Sequence, residues 1–88
     1  MLLEKKLIVN NKQGLHARPA AIFVQIANKY ESEVVVRKGK DKVNGKSIMG
    51  LMTLAAEKGS LIYLSISGPD AKEAMQELEG IISGERIE

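Results

Sequence analysis

The sequence predicts an α+β fold, a two-layer open-faced β-sandwich in which a four-stranded antiparallel sheet carries three helices on one face. Segments of two-residue periodicity alternate with segments of helical periodicity in the order β-α-β-β-α-β-α. Two of the helical segments have one apolar stripe each, which must be buried against a sheet face. The 88 residues contain no repeats or low-complexity linkers, so we expect one domain spanning residues 1–88.

The first half of the chain predicts a strand, a helix and a hairpin. Apolar and charged residues alternate over residues 3–9, as in a half-buried strand. Apolar residues then recur at helical spacing from about Ala17 to Lys29. A β-branched run at 34–36, a turn at 38–41 and a second short run around Val43 predict a hairpin. The apolar stripe of the helix comprises Ala20, Phe23, Val24, Ala27 and Tyr30.

A short helix and a strand follow the hairpin. Ser47 precedes a run of good helix formers, so we expect this serine to be the N-cap of a helix that Gly59 stops. Strict alternation over residues 61–67 is the cleanest strand pattern in the sequence. We therefore place the last strand of the sheet there.

A third helix ends the predicted fold. Asp70, with Glu73 three residues later, resembles a capping box and begins this helix. Gly84 is a plausible C-terminal stop, because glycine adopts the left-handed conformation that ends many helices. The apolar stripe of the helix comprises Ala71, Ala74, Met75, Leu78, Ile81 and Ile82.

Composition excludes several classes of function. The chain contains no cysteine, which excludes disulfides, thiolate metal sites and cysteine nucleophiles. A single histidine among scattered carboxylates predicts no metal site, and we expect no cofactor. The net charge of +2 suits an acidic partner without requiring nucleic acid. The N-terminal segment lacks the long apolar run of a leader or anchor, so we expect a cytoplasmic protein without membrane insertion.

The heptapeptide Gly14-Leu15-His16-Ala17-Arg18-Pro19-Ala20 is the strongest candidate site. Pro19 suits the first turn of the predicted helix, which places His16 at the helix N-terminus. Free amides and the positive end of the helix dipole favour an anion there, and phosphate is the natural candidate. A neutral imidazole can attack phosphorus, and the Arg18 guanidinium can donate to phosphate oxygens. A lone histidine at a helix start is more often an ordinary surface residue, so the nucleophile hypothesis depends on the whole heptapeptide.

The second predicted helix contains more apolar residues than one core-facing stripe can bury. We therefore expect some of them to form an exposed surface for partner docking. Core packing explains Met49 and Met52 equally well. Ala20 and Ile48 would extend the docking surface toward His16. The apolar residues of this helix are Ile48, Met49, Leu51, Met52 and Leu54.

Two segments resemble the histidine-containing phosphocarrier (HPr) family of the bacterial phosphoenolpyruvate-dependent sugar phosphotransferase system. Residues 14–20 resemble its active-site motif, and Lys46-Ser47-Ile48-Met49-Gly50-Leu51-Met52 resembles its regulatory serine motif. The resemblance implies that phosphorylated enzyme I transfers a phosphoryl group to Nδ1 of His16, which passes it to the A component of a sugar permease. It further implies a monomeric carrier rather than an enzyme, in which Arg18 and the amides of Ala17 and Arg18 hold the phosphate.

The serine motif implies a second, regulatory phosphate. Its form here is similar to the version in Gram-positive and related bacteria, in which an HPr kinase/phosphorylase modifies the serine that corresponds to Ser47. The resemblance therefore implies carbon catabolite regulation, with a catabolite-control transcription factor as a further partner. Helix capping alone also explains Ser47, and a phosphate at that place would be compatible with the fold.

Two alternatives remain. Basic residues at 37, 38, 40 and 42 suggest a nucleic-acid-binding module, but Tyr63 is the only aromatic residue available on the sheet face, so we expect no nucleic acid. The other alternative is a regulatory homologue: either a phosphorelay paralogue that is not devoted to sugar uptake, or a protein that binds a transcription factor through Ser47 and its helix while His16 is idle. In such relatives the histidine is replaced, so the presence of His16 and Arg18 favours the carrier.

Overall fold

The computed structural model describes residues 1–10 and 12–84, which form a four-stranded antiparallel sheet with three helices packed on one face. The predicted fold class and element order are confirmed. The sheet has the order β1-β4-β2-β3, so the first and third strands form its edges. The elements are β1 (Leu2–Ile8), α1 (Ala17–Ala27), β2 (Glu33–Lys38), β3 (Asp41–Asn44), α2 (Ile48–Leu54), β4 (Leu61–Ser67) and α3 (Ala71–Ser83).

Sequence alternation decides which face of the sheet is buried. Ile62, Leu64 and Ile66 of β4 are fully buried under the helices, while the residues between them are more exposed. Glu4 and Lys6 of β1 lie on the opposite face and are exposed, so that face meets solvent as predicted. β1 begins and ends one residue earlier than the predicted strand over 3–9.

The core lies between the sheet and the helices. Phe23 of α1 and Leu78 of α3 are fully buried, and the whole predicted stripe of α3 is buried with them. Each such side chain contributes about 1.5–3 kcal/mol through its removal from water. The Tyr30 hydroxyl donates to the Glu77 carboxylate, which joins the segment after α1 to α3. That hydrogen bond, together with burial, raises the pKa of Tyr30 to about 12.

Two helices end earlier than predicted. α1 ends at Ala27 rather than Lys29, with Asn28 as its C-cap. α2 ends at Leu54, well before Gly59, because Ala55 adopts a left-handed conformation with φ +54°. The ammonium group of Lys38, on the hairpin, donates to the Ala55 carbonyl at 3.0 Å and so satisfies the end of α2.

The predicted capping box at the start of α3 is wrong in its contacts. Asp70 is the N-cap residue, but its side chain makes no capping hydrogen bond. Its carboxylate instead accepts from the amides of Glu31 and Ser32 at 2.9 and 3.0 Å and from the Ser32 hydroxyl at 2.5 Å. These bonds satisfy the buried Ser32, and they connect α3 to the segment before β2. The end of α3 is as predicted, with Gly84 at φ +86°.

Candidate functional site

His16 lies where the loop after β1 meets α1. It is the N-cap residue, with extended backbone at φ −115° and ψ 162°, and its half-buried side chain makes no capping hydrogen bond. The next residue, Ala17, has φ +40°, which is uncommon for a residue with a Cβ atom and costs about 1 kcal/mol or more. Backbone strain of this kind concentrates at functional sites, and here it adjoins the only histidine of the chain.

The turn after α2 positions the loop that carries His16. The buried Leu15 donates its amide to the Ala56 carbonyl at 2.7 Å. Gly14 has φ +66°, and a Cβ atom on it would lie 2.5 Å from the same carbonyl oxygen. Glycine is therefore required at position 14 both for its conformation and for this close approach. Nothing in the sequence indicated Ala56 as a member of the site; Gly14 was the only local signal.

Unused hydrogen-bond donors surround the start of α1. Ala17 and Arg18 are its first two residues, both exposed, and their amides donate to no acceptor in the described chain. The Arg18 guanidinium likewise has no hydrogen bond or ion pair with a described residue. Pro19, the third residue, is buried and has no amide to satisfy. The site thus has open donors and positive charge where an anion next to His16 would lie.

Other kinds of site are missing from the described residues. Nowhere in residues 1–10 and 12–84 do three or more His, Asp or Glu side chains cluster in a way that could hold a metal ion. None of the helices in that part of the chain is long and apolar enough to cross a membrane.

Ser47 is the N-cap of α2, as predicted. Its hydroxyl oxygen accepts a hydrogen bond of 3.1 Å from the Gly50 amide. The residues before it are held as well, because the Lys46 amide donates to the Asn44 side chain at 2.9 Å and its ammonium group donates to the Tyr30 carbonyl at 2.6 Å. The serine is half-buried, at the start of a well-anchored helix.

Three apolar residues of α2 are exposed and form what we call the α2 patch: Ile48, Met49 and Met52, at 39%, 70% and 42% exposure. Leu51 and Leu54 fill the core-facing stripe instead. The predicted extension of this surface through Ala20 is wrong. Ala20 is fully buried, because it lies on the α1 stripe that faces the core. Helices α1 and α2 pack against each other, so the α2 patch and His16 belong to neighbouring elements.

Comparison with known proteins agrees with this geometry. Residues 3–83 match the family model described as the PTS HPr component phosphorylation site. The HPr-like protein Crh of Halalkalibacterium halodurans is 51% identical, over 96% of this chain and 100% of its own length. The phosphocarrier protein HPr of Neisseria meningitidis serogroup A is 49% identical, over 94% of this chain and 93% of its own.

A solved structure extends the likeness to the fold. The crystal structure of HPr-C-His from Thermoanaerobacter tengcongensis matches with a TM-score of 0.92 and 45% identity, covering 98% of this chain and 97% of that one. Sequence and structure thus agree over nearly the whole chain. The chain belongs to the HPr family, the phosphocarrier proteins of the phosphotransferase system, which carry phosphoryl groups rather than catalyse a reaction.

Proposed function

We propose that this protein accepts a phosphoryl group on Nδ1 of His16 from phosphorylated enzyme I and passes it to the A components of sugar permeases. One observation carries the proposal. The His16 side chain makes no capping bond at the start of α1, and the adjoining amides of Ala17 and Arg18 and the Arg18 guanidinium are open to an incoming anion.

The chemistry consists of two matched transfers. The lone pair of Nδ1 attacks phosphorus, so a new N–P bond forms as the bond between phosphorus and the donor breaks. The second transfer breaks that N–P bond as the acceptor attacks. The phosphoryl oxygens carry the negative charge, and the Arg18 guanidinium and the helix-start amides hold them without rearrangement. The chain returns to its starting state after each cycle and acts as a carrier.

Donor and acceptors must dock on a shared surface next to His16. The α2 patch suits this role because methionine side chains adapt to partners of different shape. Phosphorylation of Ser47 by an HPr kinase/phosphorylase would place negative charge beside the patch, and so change which partner binds, including a catabolite-control transcription factor. One chain supplies the whole site, so a monomer in the cytoplasm suffices for transfer.

A second function has a specific observation in its favour. The similarity to Crh of H. halodurans supports a purely regulatory role, in which Ser47 and the α2 patch act and His16 does not. The two functions differ in one measurable property, the ability of His16 to take up phosphate.

The test is incubation with phosphoenolpyruvate and a competent enzyme I, followed by intact-mass measurement. We expect one acid-labile phosphate, which His16→Ala abolishes and Ser47→Ala retains. Addition of a permease A component should then remove the phosphate from the carrier. Unimpaired labelling of His16→Ala would overturn the assignment. A wild-type protein that takes up no phosphate would favour the regulatory alternative.

A further inference from the structure

We propose that the solvent face of the sheet binds a partner protein through a segment of that partner that carries both acidic and apolar side chains. This face is the one that the helices leave uncovered, whereas His16 and the α2 patch belong to the helices, so the proposal is separate from phosphoryl transfer. The centre of the surface is what we call the cationic row: Lys6, Tyr63, Arg37 and Lys42.

The register of the sheet brings the members of the cationic row together. Lys6 of β1 lies opposite Tyr63 of β4, which in turn lies opposite Arg37 of β2. Arg37 lies opposite Lys42 of β3, so the row crosses all four strands, over about 14 Å at the usual strand spacing. Lys6 lies on the same face as the exposed Glu4, and residues directly opposite each other share a face of the sheet. Three cations thus stand side by side on the face that meets solvent.

The charges of the cationic row are not neutralised within the part of the chain that the structure describes. The ammonium groups of Lys6 and Lys42 have no hydrogen bond or ion pair with a described residue. The Glu4 carboxylate, two positions from Lys6, accepts instead from the Ser65 hydroxyl at 2.8 Å. Arg37 and Lys42 are like charges directly opposite each other, which destabilises a strand pair. A bound anion would remove that cost.

The Arg37 guanidinium is already held in place. It stacks 4.1 Å from the centre of the Tyr63 ring and donates to the Gly39 carbonyl at 2.6 Å. Since a guanidinium has five N–H groups, most of its donors remain open to a carboxylate. The same stacking argues against nucleic acid, because Tyr63 is the only aromatic residue in the four strands and its ring is occupied by Arg37.

Protection of sheet edges does not explain the cationic row. Lysines often stand on edge strands, where they prevent pairing with another chain, and Lys6 on β1 and Lys42 on β3 fit that role. Arg37 does not, because β2 is an inner strand that is paired on both sides. A cation at the middle of the solvent face points to a ligand rather than to edge protection.

The surface beside the cationic row selects the class of partner. Ile8 and Leu61 lie directly opposite each other, next to Lys6 and Tyr63 on the same face, and their side chains are 53% and 42% exposed. A polyphosphate chain gains nothing from this apolar pair, and the Glu4 carboxylate on the other side of the row would repel it. A protein segment with both carboxylate and apolar side chains matches the cations and the apolar pair together.

Fluorescence anisotropy of a labelled peptide, titrated with the full chain at low ionic strength, tests this proposal. The probe is a short synthetic peptide that alternates pairs of glutamate with pairs of leucine. We expect it to bind, to bind more weakly as salt is added, and to shift the NMR amide signals of the cationic row. The same peptide with lysine in place of glutamate should not bind.

Charge reversal then locates the binding site. Lys6→Glu and Lys42→Glu should each weaken binding by about tenfold, because one attraction becomes a repulsion. Lys72→Glu is the matched control: it makes the same charge change at an exposed position of α3 and should weaken binding by less than about twofold. Leu61→Ser should weaken binding by about fivefold, through the loss of apolar contact. Lys6→Glu should still take up phosphate from enzyme I, so failure of this proposal is distinguishable from failure of the proposed function.

Three results would overturn the proposal. The first is a peptide that does not bind at a chain concentration of about 1 mM, the range of very weak complexes. The second is an equal loss of binding in Lys72→Glu and Lys42→Glu, which would show a general attraction to a basic protein rather than a site. The third is a single-stranded oligouridylate that binds as tightly as the acidic peptide and shifts the same amide signals, which would assign this face to nucleic acid.

Discussion

The amide of Leu15 donates a 2.7 Å hydrogen bond to the carbonyl of Ala56, and this bond joins the loop that carries His16 to the turn that ends α2. The ammonium group of Lys38, on the hairpin, donates to the Ala55 carbonyl in the same turn. The position of His16 therefore depends on α2 and on the hairpin as well as on its own helix. Substitutions that remove either of these two contacts should therefore affect phosphoryl transfer.

Gly14→Ala should lower the free energy of unfolding by about 2 kcal/mol or more and slow phosphoryl transfer, because the new Cβ meets Ala56 and φ is positive. The matched control is Gly39→Ala, which shares the positive φ at +61° but has no atom within 4 Å of a Cβ. It should cost only about 1 kcal/mol and leave transfer unchanged. Urea unfolding and a transfer assay measure both; equal effects of the two changes would argue against the close contact.

Arg18→Ala should shorten the lifetime of the phosphorylated protein or slow its formation by about tenfold to a hundredfold. The physical reason is the loss of charge-assisted hydrogen bonds of about 1.5–3 kcal/mol. Arg37→Ala is the control, because that guanidinium stacks 4.1 Å from the Tyr63 ring centre, on another part of the molecule. An Arg18→Ala protein with wild-type rate and lifetime would remove this residue from the site.

Met49→Ala with Met52→Ala should raise the KM of enzyme I for this protein by about thirtyfold, because two contacts at an interface centre, each worth about 1 kcal/mol, are lost. Because both side chains are exposed, the free energy of unfolding should change by about 0.5 kcal/mol or less. Leu51→Ala, in the buried stripe of the same helix, should instead cost about 2–5 kcal/mol of stability. An unchanged KM in the double variant would exclude the α2 patch from docking.

Ser47→Ala should destabilise the protein by about 1 kcal/mol, because the Gly50 amide loses the oxygen that caps it. Ser47→Asp retains a capping oxygen and should stay close to wild-type stability. Thermal unfolding compares the two. If Ser47→Ala were as stable as the wild type, the observed capping bond would contribute nothing to the helix.

Stability should fall at acid pH through Asp70. The Ser32 hydroxyl, followed by the Glu31 amide, holds the pKa of the Asp70 carboxyl below its usual value. A lowered pKa in the folded state stabilises the fold above the unfolded pKa, which is about 3.9, and this stability is lost as pH falls through the folded pKa. Urea unfolding at neutral and acid pH should show a smaller pH dependence for Asp70→Asn than for the wild type. An identical dependence would contradict this role.

Local patterns in the sequence predicted most of the fold. The alternation in β4, the Ser47 cap and the Gly84 stop each depend on neighbouring residues alone, and all three are confirmed. A count of apolar residues against the size of one helix predicted that some of them are exposed, and the structure shows that Met49 and Met52 are among these. Their role in docking remains a prediction.

Contacts between distant segments could not be predicted in the same way. The α2 helix ends at Leu54, where Ala55 adopts a left-handed conformation and Lys38, on the hairpin, donates to the Ala55 carbonyl. The Asp70 side chain makes no capping bond to α3, because it accepts instead from the amide and the hydroxyl of Ser32, 38 positions away. Ala20 is buried because it lies on the face of α1 that packs against the core. Each of these depends on tertiary packing, which periodicity along one segment does not contain.

The central claim is that His16 carries the phosphoryl group on Nδ1. Two-dimensional NMR that correlates the imidazole protons with the ring nitrogens, before and after treatment with phosphoenolpyruvate and enzyme I, measures this directly. We predict that the signal of Nδ1 of His16 shifts and that Nε2 remains free. Ring signals that stay unchanged while the protein gains a phosphate elsewhere would contradict the account.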